Sequence, residues 1–480
     1  LTDVIIIGAG VSGCAVAREL SRSDLSVEVL EAGYDVACGA SRTNSGIVHG
    51  GFDPAPGTAK ALYNVRGARL VPLLSREIGF RYRPCGSIVL AFGRDEEREL
   101  DVLMARAKAN GVDDVRIIDA DELRRLEPNV SGAATSALLC ESSGICDPFG
   151  MTVALAESAA TNGVSFRFGA SVSHVRRIAG SWEVETPDGT CTRARAVVNA
   201  AGVSAIDLHN EVSSSKLESR PRAGEYVLLD RDHGSTFSHT MFRVPGPEGK
   251  GVLVSPTVEG NLIVGPDAVD VSGAQDTWTT PEGLAWVAGK ARDIWPGFDR
   301  RGIIVNFAGV RPSGADGDFV LGEPTDAPGF FDVAAFDSPG LTASVAVAQD
   351  IAADVERSLA AGRNTSFVSH RDMPSRFIEM GDEERSRAIA RDPLFGHLVC
   401  RCEQVSEAEI LAAIHAPLPA TTIVGVKRRC RAGTGRCQGG FCEPLVAEII
   451  SRETGIPISD VRLEGPGSEI GPQDDGEVRS

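Results

Sequence analysis

The sequence predicts an α/β fold. A Rossmann-like dinucleotide-binding domain is interleaved with an α+β domain built on an antiparallel sheet, and a small cysteine-rich domain follows. Three observations carry this expectation. The chain opens on Val4-Ile5-Ile6-Ile7 and a turn with G-x-G-x-x-G spacing, Gly8, Gly10 and Gly13. Strand-like and helix-like patterns then alternate as far as about Leu359. Five of the eleven cysteines crowd between positions 400 and 442.

The opening run is apolar and β-branched, the pattern of a strand buried on both faces. Gly8 permits the tight turn, Gly10 lets a pyrophosphate approach the backbone, and Gly13 lets the next helix pack closely on the strand. The helix over Cys14–Leu20 then points its N-terminus, and the positive end of its dipole, at the phosphates. Val27–Leu30 is a second strand ending in Glu31, an acid placed to accept hydrogen bonds from both ribose hydroxyls of an adenosine. The bland alternative is an ordinary βαβ turn with chance glycines. The stretch Cys38–Gly51 holds too many glycines and small polar residues for a helix interior. A loop so rich in backbone donors can wrap a cofactor.

Beyond it the spacing predicts a helix over Ala59–Ile78, a strand over Ser87–Phe92, a charged helix over about Asp95–Asn110 and a short one from Asp119. Asp147-Pro148 opens a helix to about Thr161. This middle segment lacks phosphate-loop signals and reads as part of the second domain. Val164–Phe168 and Ser171–Val175 read as strands, and the runs flanking Pro187-Asp188-Gly189 as a hairpin. Ala196–Gly202 is a buried strand ending in small residues. The region from Pro221 to Val310 is β-rich, with strands at Tyr226–Leu229, Gly251–Val254 and Leu262–Gly265 and a helix over Pro281–Ile294. Phe319–Gly322 and Phe331–Ala334 return to the first domain, and Gly340-Leu341-Thr342 opens a small-residue helix to about Leu359. The expected division is 1–75, 145–210 and 305–362 for the dinucleotide domain and 76–144 and 211–304 for the second. A linker over 363–394, a cysteine domain over 395–455 and a tail over 456–480, disordered from Gly465, complete it.

A chain of 480 residues with 42% hydrophobic and 24% charged residues has ample material for a large core. Its formal net charge of −18 argues against non-specific binding to nucleic acid or anionic lipid, while leaving room for a local basic pocket. No apolar run approaches the roughly 20 residues needed to span a bilayer. The expected location is therefore the cytoplasm, with any membrane association made through a partner. Locally crowded cysteines in a long acidic chain fit a metal or cluster site better than a disulfide scaffold.

Several runs resemble a known family. Ile5-Ile6-Ile7-Gly8-Ala9-Gly10-Val11-Ser12-Gly13, Asn44–Gly51, Asn199-Ala200-Ala201-Gly202, Gly309-Val310-Arg311-Pro312 and Ser338–Thr342 are similar to the FAD-dependent oxidoreductases of the D-amino-acid oxidase and glycerol-3-phosphate dehydrogenase superfamily. Cys400-Arg401-Cys402 and Gly433–Cys442 resemble the bacterioferredoxin-associated-ferredoxin type of [2Fe-2S] domain. The pairing is most similar to the FAD-bearing chain of anaerobic-type bacterial glycerol-3-phosphate dehydrogenases. The catalytic half also resembles L-2-hydroxyglutarate dehydrogenases. The resemblance implies FAD, which the glycine pattern alone does not distinguish from NAD. It places Val172 at the FAD adenine, Gly202 near the pyrophosphate, Ser41, Asn44 and Ser45 in the loop crossing towards the flavin, and Gly340, Leu341 and Thr342 beside its pyrimidine. A helix N-terminus there would stabilise negative charge on the reduced flavin.

Oxidising an alcohol requires acceptors for a hydride and a proton. His49, between Val48 and Gly50, is a candidate general base, since a histidine titrates near neutral pH; a structural histidine is the competing reading. His239 is a second candidate. The resemblance puts Arg311 in the substrate pocket, where its planar fork suits carboxylate or phosphate. Arg222 and Glu225 lie near that pocket by the same resemblance, and Lys250 would add a point charge for phosphate. Cys400, Cys402, Cys437 and Cys442 form a C-x-C and a C-x4-C, two thiolates for each iron of a [2Fe-2S] cluster. Four cysteines also suit structural zinc; the nearby glycines and the family pattern favour the cluster, with Cys430 outside the ligand set. The implied activity is oxidation of a small anionic 2-hydroxy compound, foremost sn-glycerol 3-phosphate to dihydroxyacetone phosphate, with electrons passing through the cluster to a partner acceptor protein. L-2-hydroxyglutarate or another 2-hydroxy acid is the alternative substrate. An electron-transfer subunit without its own substrate is the alternative class.

Overall fold

The computed structural model describes residues 2–246, 251–273 and 275–471. Strand β1 (Thr2–Ile7) leads through the glycine turn into helix α1 (Val11–Leu20) and back to β2 (Val27–Leu30). Val4, Ile5 and Ile6 are fully buried, as a strand covered on both faces requires. Helix α2 (Ala59–Ile78) begins at Thr58, whose side chain accepts the Ala61 N–H, and stops at Gly79, whose φ of 64° few other residues adopt. The remaining strands of the parallel layer are β3 (Ser165–Arg167), β4 (Cys191–Asn199) and, later, Phe330–Ala334. Their order is β3-β2-β1-β4 and then Phe330–Ala334, all parallel. The hairpin of His174–Ile178 and Ser181–Glu185 extends the edge antiparallel to β4.

A second, nine-stranded sheet carries the other layer. Strand β5 (Arg222–Leu229) pairs antiparallel with both Leu262–Gly265 and β6 (Ile303–Arg311). Side chains alternate across this sheet. Val227, Leu229, Met241 and Val264 pack on the helix Pro281–Ile294, whereas Tyr226, Phe242, Leu253 and Ile263 pack with Ile47, Phe52, Leu100 and Leu103 on the opposite face. That second face therefore receives the loop after Cys38. A three-stranded sheet, Ile47–Val48, Gly144–Cys146 and Tyr82–Pro84, pins the loop's end.

Strand β7 (Phe330–Ala334) leads through Ser338-Pro339 into helix α3 (Gly340–Leu359). Residues 1–32 and 36–372 form one compact unit holding both large sheets, so the expected dinucleotide and substrate domains are fused through shared packing. Residues 33–35 and 373–480 make up the second unit. It contains the hairpin Leu398–Cys400/Val405–Ser406 and the helices Asp382–Arg391, Glu407–Ile414, Ile423–Cys430 and Glu443–Thr454.

Two boundaries differ from those expected. The second half of the supposed linker belongs to this unit: Phe377 is buried and its N–H donates to Glu409. The supposed tail is ordered as far as Gly471, because Val461 enters the unit's core and the Arg462 carbonyl accepts the Ile423 N–H at 3.1 Å.

Candidate functional site

Within the glycine turn, close packing falls on two of the three positions. A Cβ on Gly8 would stand 2.5 Å from the Ala200 carbonyl oxygen, and one on Gly13 would stand 1.9 Å from that of Gly8. These two are glycine because the fold closes on them. Gly10 is the N-cap of α1, receives no side-chain cap, and would meet only Ser41 Oγ within 4 Å. With no Cβ it leaves the backbone open to an approaching phosphate, while the first N–H of the helix, on Val11, is taken by Ser41 Oγ. Glu31 directly follows β2, and its Oε2 accepts the Ala9 N–H at 2.6 Å, tying the acid to the turn. Gly202 lies just beyond β4 with φ +61° and open space where a Cβ would point. The Ala170 N–H donates to the Glu31 carbonyl at 2.8 Å, joining the segment that holds Val172 to the end of β2. These features fit an adenine dinucleotide: glycine cradle, helix terminus and acid face one edge of the parallel sheet.

The loop after Cys38 is held by its own polar side chains. Ser41 Oγ accepts the Val11 N–H at 2.9 Å, joining the loop to the N-terminus of α1. Asn44 donates to the Ser41 carbonyl at 2.8 Å and accepts the Gly46 N–H at 2.8 Å. Ser45, half-buried, follows it. At the loop's end the His49 N–H donates to Thr342 Oγ1 at 3.0 Å, while that hydroxyl donates to the Ile47 carbonyl at 3.3 Å. The Asn64 amide donates to the His49 carbonyl at 3.2 Å and accepts the Gly51 N–H at 2.9 Å. Gly340 and Leu341 begin α3 immediately before Thr342. Helix α2 crosses this terminus so closely that a Cβ on Gly67 would lie 1.9 Å from the Thr342 carbonyl oxygen. His49 and the 340–342 group, almost 300 residues apart in sequence, are thus brought into contact.

His49 faces the second sheet, its ring 5.9 Å from that of Phe242. Both line a small open cleft with Phe52, Asp53, Val89, Leu103, Arg243 and Pro245. Arg311 ends β6 opposite Arg222, with Gly309 opposite Gly224 and Phe307 opposite Tyr226. By strand alternation Arg311 occupies the same face as Tyr226, the face that also bears Phe242. Its guanidinium donates to the Asp267 carbonyl at 2.8 Å and passes over Gly224, where a Cβ would be 2.0 Å from a guanidinium nitrogen. Burial pushes the Tyr226 phenol up, and the Arg311 charge partly offsets that.

Glu225, Arg222 and His239 are each held by a structural partner. Glu225 lies on the opposite face, capping the helix Pro281–Ile294 through the Thr280 N–H at 2.9 Å and hydroxyl at 2.8 Å. Arg222 pairs with Asp270 at 3.0 Å. His239 is bound by Nδ1 to Glu127 at 2.6 Å, and the same carboxylate oxygen accepts the His239 N–H at 2.8 Å. Lys250 lies outside the described residues.

Sequence reasoning missed Asp337. Its carboxylate accepts from Ser313 Oγ at 2.9 Å and pairs with Lys60 at 2.5 Å, while its carbonyl accepts the Gly340 N–H at 2.6 Å. It therefore ties the segment after Arg311 to the start of α3. Nothing in the pattern around Asp337 signals this, since Ser313 and Lys60 arrive from other elements and only the bond from Gly340 is a local turn.

In the second unit the cysteines meet across the two motifs rather than within them. Cys402 Sγ is 3.6 Å from Cys437 Sγ, and the Cys400 and Cys442 thiols hydrogen-bond each other. The bond from Cys442 favours thiolate on Cys400 and, with backbone N–H groups of Gly433 and Glu403, draws its pKa down. Gly435 packs against Cys402, where a Cβ would come within 2.5 Å of the cysteine's own. Four thiols in two facing pairs, served by backbone donors, suit a cluster with two thiolates on each iron. Cys430 stands apart, buried, bonded to the Val426 carbonyl and pushed up to about 12 by burial.

Known proteins share both halves. The FAD dependent oxidoreductase family matches residues 3–354, and the BFD-like [2Fe-2S] binding domain matches residues 398–452. A glycerol 3-phosphate dehydrogenase of Caloramator mitchellensis is 39% identical over 98% of each chain. A glycerol 3-phosphate oxidase of Mycoplasma pneumoniae is 31% identical over 72% of this chain and 93% of its own. The solved structure of dithionite-reduced L-α-glycerophosphate oxidase from M. pneumoniae, with FAD bound, superposes with a TM-score of 0.73 at 29% identity, covering 78% of this chain and 99% of that one. A glycine cradle that a dinucleotide fits, on a chain matched over most of its length, places the protein in the FAD-dependent oxidoreductase family, with a BFD-like [2Fe-2S] binding domain appended.

Proposed function

We propose that the protein oxidises sn-glycerol 3-phosphate to dihydroxyacetone phosphate with FAD and passes the electrons through its [2Fe-2S] domain to an acceptor protein. The observation that carries this reading is the likeness to a glycerol 3-phosphate dehydrogenase over 98% of both chains, cysteine domain included. The site geometry supports it. The glycine turn, Glu31 and the start of α3 would hold FAD, which when bound would supply the hydride acceptor. His49 takes the hydroxyl proton as the carbonyl forms, its backbone fixed by Thr342 and Asn64. Arg311 offers paired donors to the substrate's anionic group, steadied by the Asp267 carbonyl. Lys250 adds a charge for phosphate. No helix among the described residues is long and apolar enough to cross a membrane, and the proposed location is the cytoplasm, with membrane association through a partner.

The test is anaerobic titration of the purified holoprotein with glycerol 3-phosphate and with L-2-hydroxyglutarate, following flavin absorbance. Bleaching by glycerol 3-phosphate is the expected outcome. Bleaching by L-2-hydroxyglutarate alone would transfer the assignment to a 2-hydroxy-acid dehydrogenase. Bleaching by neither, across a wider panel of small hydroxy compounds, would leave an electron-transfer subunit.

A further inference from the structure

The segment from Lys427 to Cys442 holds five basic residues and no acidic one, in a chain of net charge −18. Three of the five are turned to internal partners. Arg428 pairs with Glu464 at 2.5 Å, Arg429 with Asp35 at 2.7 Å and Arg431 with Glu403 at 3.0 Å. Arg436, immediately before Cys437, is exposed, and so is Arg401, between Cys400 and Cys402. Because the Cys402 and Cys437 sulfurs lie 3.6 Å apart, these two arginines flank one sulfur pair, and Cys402 itself reaches the surface. Phe441, next to Cys442, is 84% exposed, more than any other large hydrophobic residue among those described. Leu445, on the helix that follows, is also exposed.

An aromatic ring left in water next to one cysteine of a redox site, with exposed arginines beside two others, has the composition of an interface centre: an apolar anchor with charges that steer and orient. Charge complementarity selects the partner, because an overall acidic protein repels an acidic carrier everywhere except at such a patch. We propose that the Arg401–Arg436–Phe441 face docks an acidic one-electron carrier protein. This rests on the reading that electrons leave through the cysteine domain. Each docking event transfers one electron to the carrier's oxidised centre, so one substrate oxidation, which releases two, reduces two carriers.

Binding to the holoprotein is measured by calorimetry, without substrate, using an acidic flavodoxin as the probe and a basic cytochrome c as the counter-probe. The wild type is expected to bind flavodoxin, more weakly as ionic strength rises, and to leave cytochrome c unbound at this face. Arg401→Glu with Arg436→Glu is expected to weaken flavodoxin binding by about tenfold or more at low ionic strength and to flatten the salt dependence. Phe441→Ser is expected to weaken it by about tenfold with the salt dependence kept. Cluster absorbance and paramagnetic resonance signals report that each variant is intact; should the double variant lose them, Arg401→Gln and Phe441→Ser carry the test. Wild-type binding by the intact charge-reversed variant, or tighter binding of cytochrome c than of flavodoxin by the wild type, would overturn the proposal. The substrate is absent from this experiment, so a failure of glycerol 3-phosphate to bleach the flavin would count against the proposed function alone.

Discussion

The dinucleotide cradle and the cysteine site solve the same problem, holding a redox group, by opposite means. The proposed cradle would be made of backbone gathered from distant parts of the chain: the turn at Gly8–Gly13, the loop ends near Val172 and Gly202, and the start of α3 at Gly340. Its side chains serve mainly to hold that backbone, as Glu31 does for Ala9, Ser41 for Val11 and Thr342 for His49. The cysteine site would take all four proposed donors from within 400–442 and offer side chains directly. Its supporting core is a single small cluster around Val399, Ile410, Val426 and Ile450. A large sheet-based core supports the cradle with or without cofactor, whereas a unit this small draws a larger share of its stability from what it binds.

The largest expected effects separate the two directly. Cys437→Ser removes one of four donors. It is expected to abolish the cluster's absorbance and paramagnetic signals and to lower the melting temperature of the second unit, while FAD content stays at wild type. Loss of FAD along with the cluster would show that the two sites are not independent. Metal analysis finding stoichiometric zinc without iron or labile sulfide would remove the cluster from the comparison altogether. Gly13→Ala tests the other side. Its Cβ would meet the Gly8 carbonyl oxygen at 1.9 Å, a backbone atom with no room to yield. Overpacking of this kind costs about 1–3 kcal/mol or more. The expected result is at least tenfold weaker FAD retention, measured by dialysis and fluorescence of released flavin, with cluster signals unchanged.

That contrast also explains what could be read from the residues alone. Helices Ala59–Ile78 and Pro281–Ile294 match their expected bounds because local chemistry marks both ends: Thr58 and Gly79 for one, Thr280 and Pro281 for the other. The [2Fe-2S] domain was legible because its cysteines are close in sequence. The cross-pairing of Cys400 with Cys442 and Cys402 with Cys437 was not, since either arrangement has the same spacing. The three-stranded sheet at Ile47–Val48 has strands of two or three residues, too short for a period of two to register. The helix Asp382–Arg391 buries only Ala388, so its composition reads as a solvated linker, and contacts made by neighbouring Phe377 reveal its place. Glu225 sits one residue from the site-facing Tyr226, and the alternation of the strand sends it to the other side. Asp337 is silent in sequence because its role depends on Ser313 and Lys60 arriving from other elements.

The smaller predictions ask whether the first unit contains any position that behaves like a cysteine ligand, where side-chain chemistry alone decides. Arg311 is the candidate. Arg311→Lys keeps the charge but loses the fork, and hydrogen bonds to charged groups contribute about 1.5–3 kcal/mol. KM for the substrate is expected to rise roughly tenfold to 150-fold, with FAD content unchanged. Wild-type KM would take Arg311 out of the substrate pocket. Lys250→Ala is expected to raise KM for a phosphate substrate more than for a carboxylate one.

Thr342 gives the smallest effect and the sharpest distinction. Its hydroxyl accepts the His49 N–H and donates to the Ile47 carbonyl, and its side chain is wholly buried. Thr342→Val preserves shape and removes both bonds, while Thr342→Ser preserves the bonds and removes a methyl group. A hydrogen bond of this kind contributes about 1 kcal/mol net. If Thr342 acts by setting the His49 backbone, Thr342→Val lowers kcat by roughly fivefold with KM little changed, and Thr342→Ser restores it. Equal losses in the two variants would instead assign Thr342 to packing between α3 and the loop. In that case the α3 terminus would be one more piece of backbone scaffold, and the contrast between the two units would hold without exception.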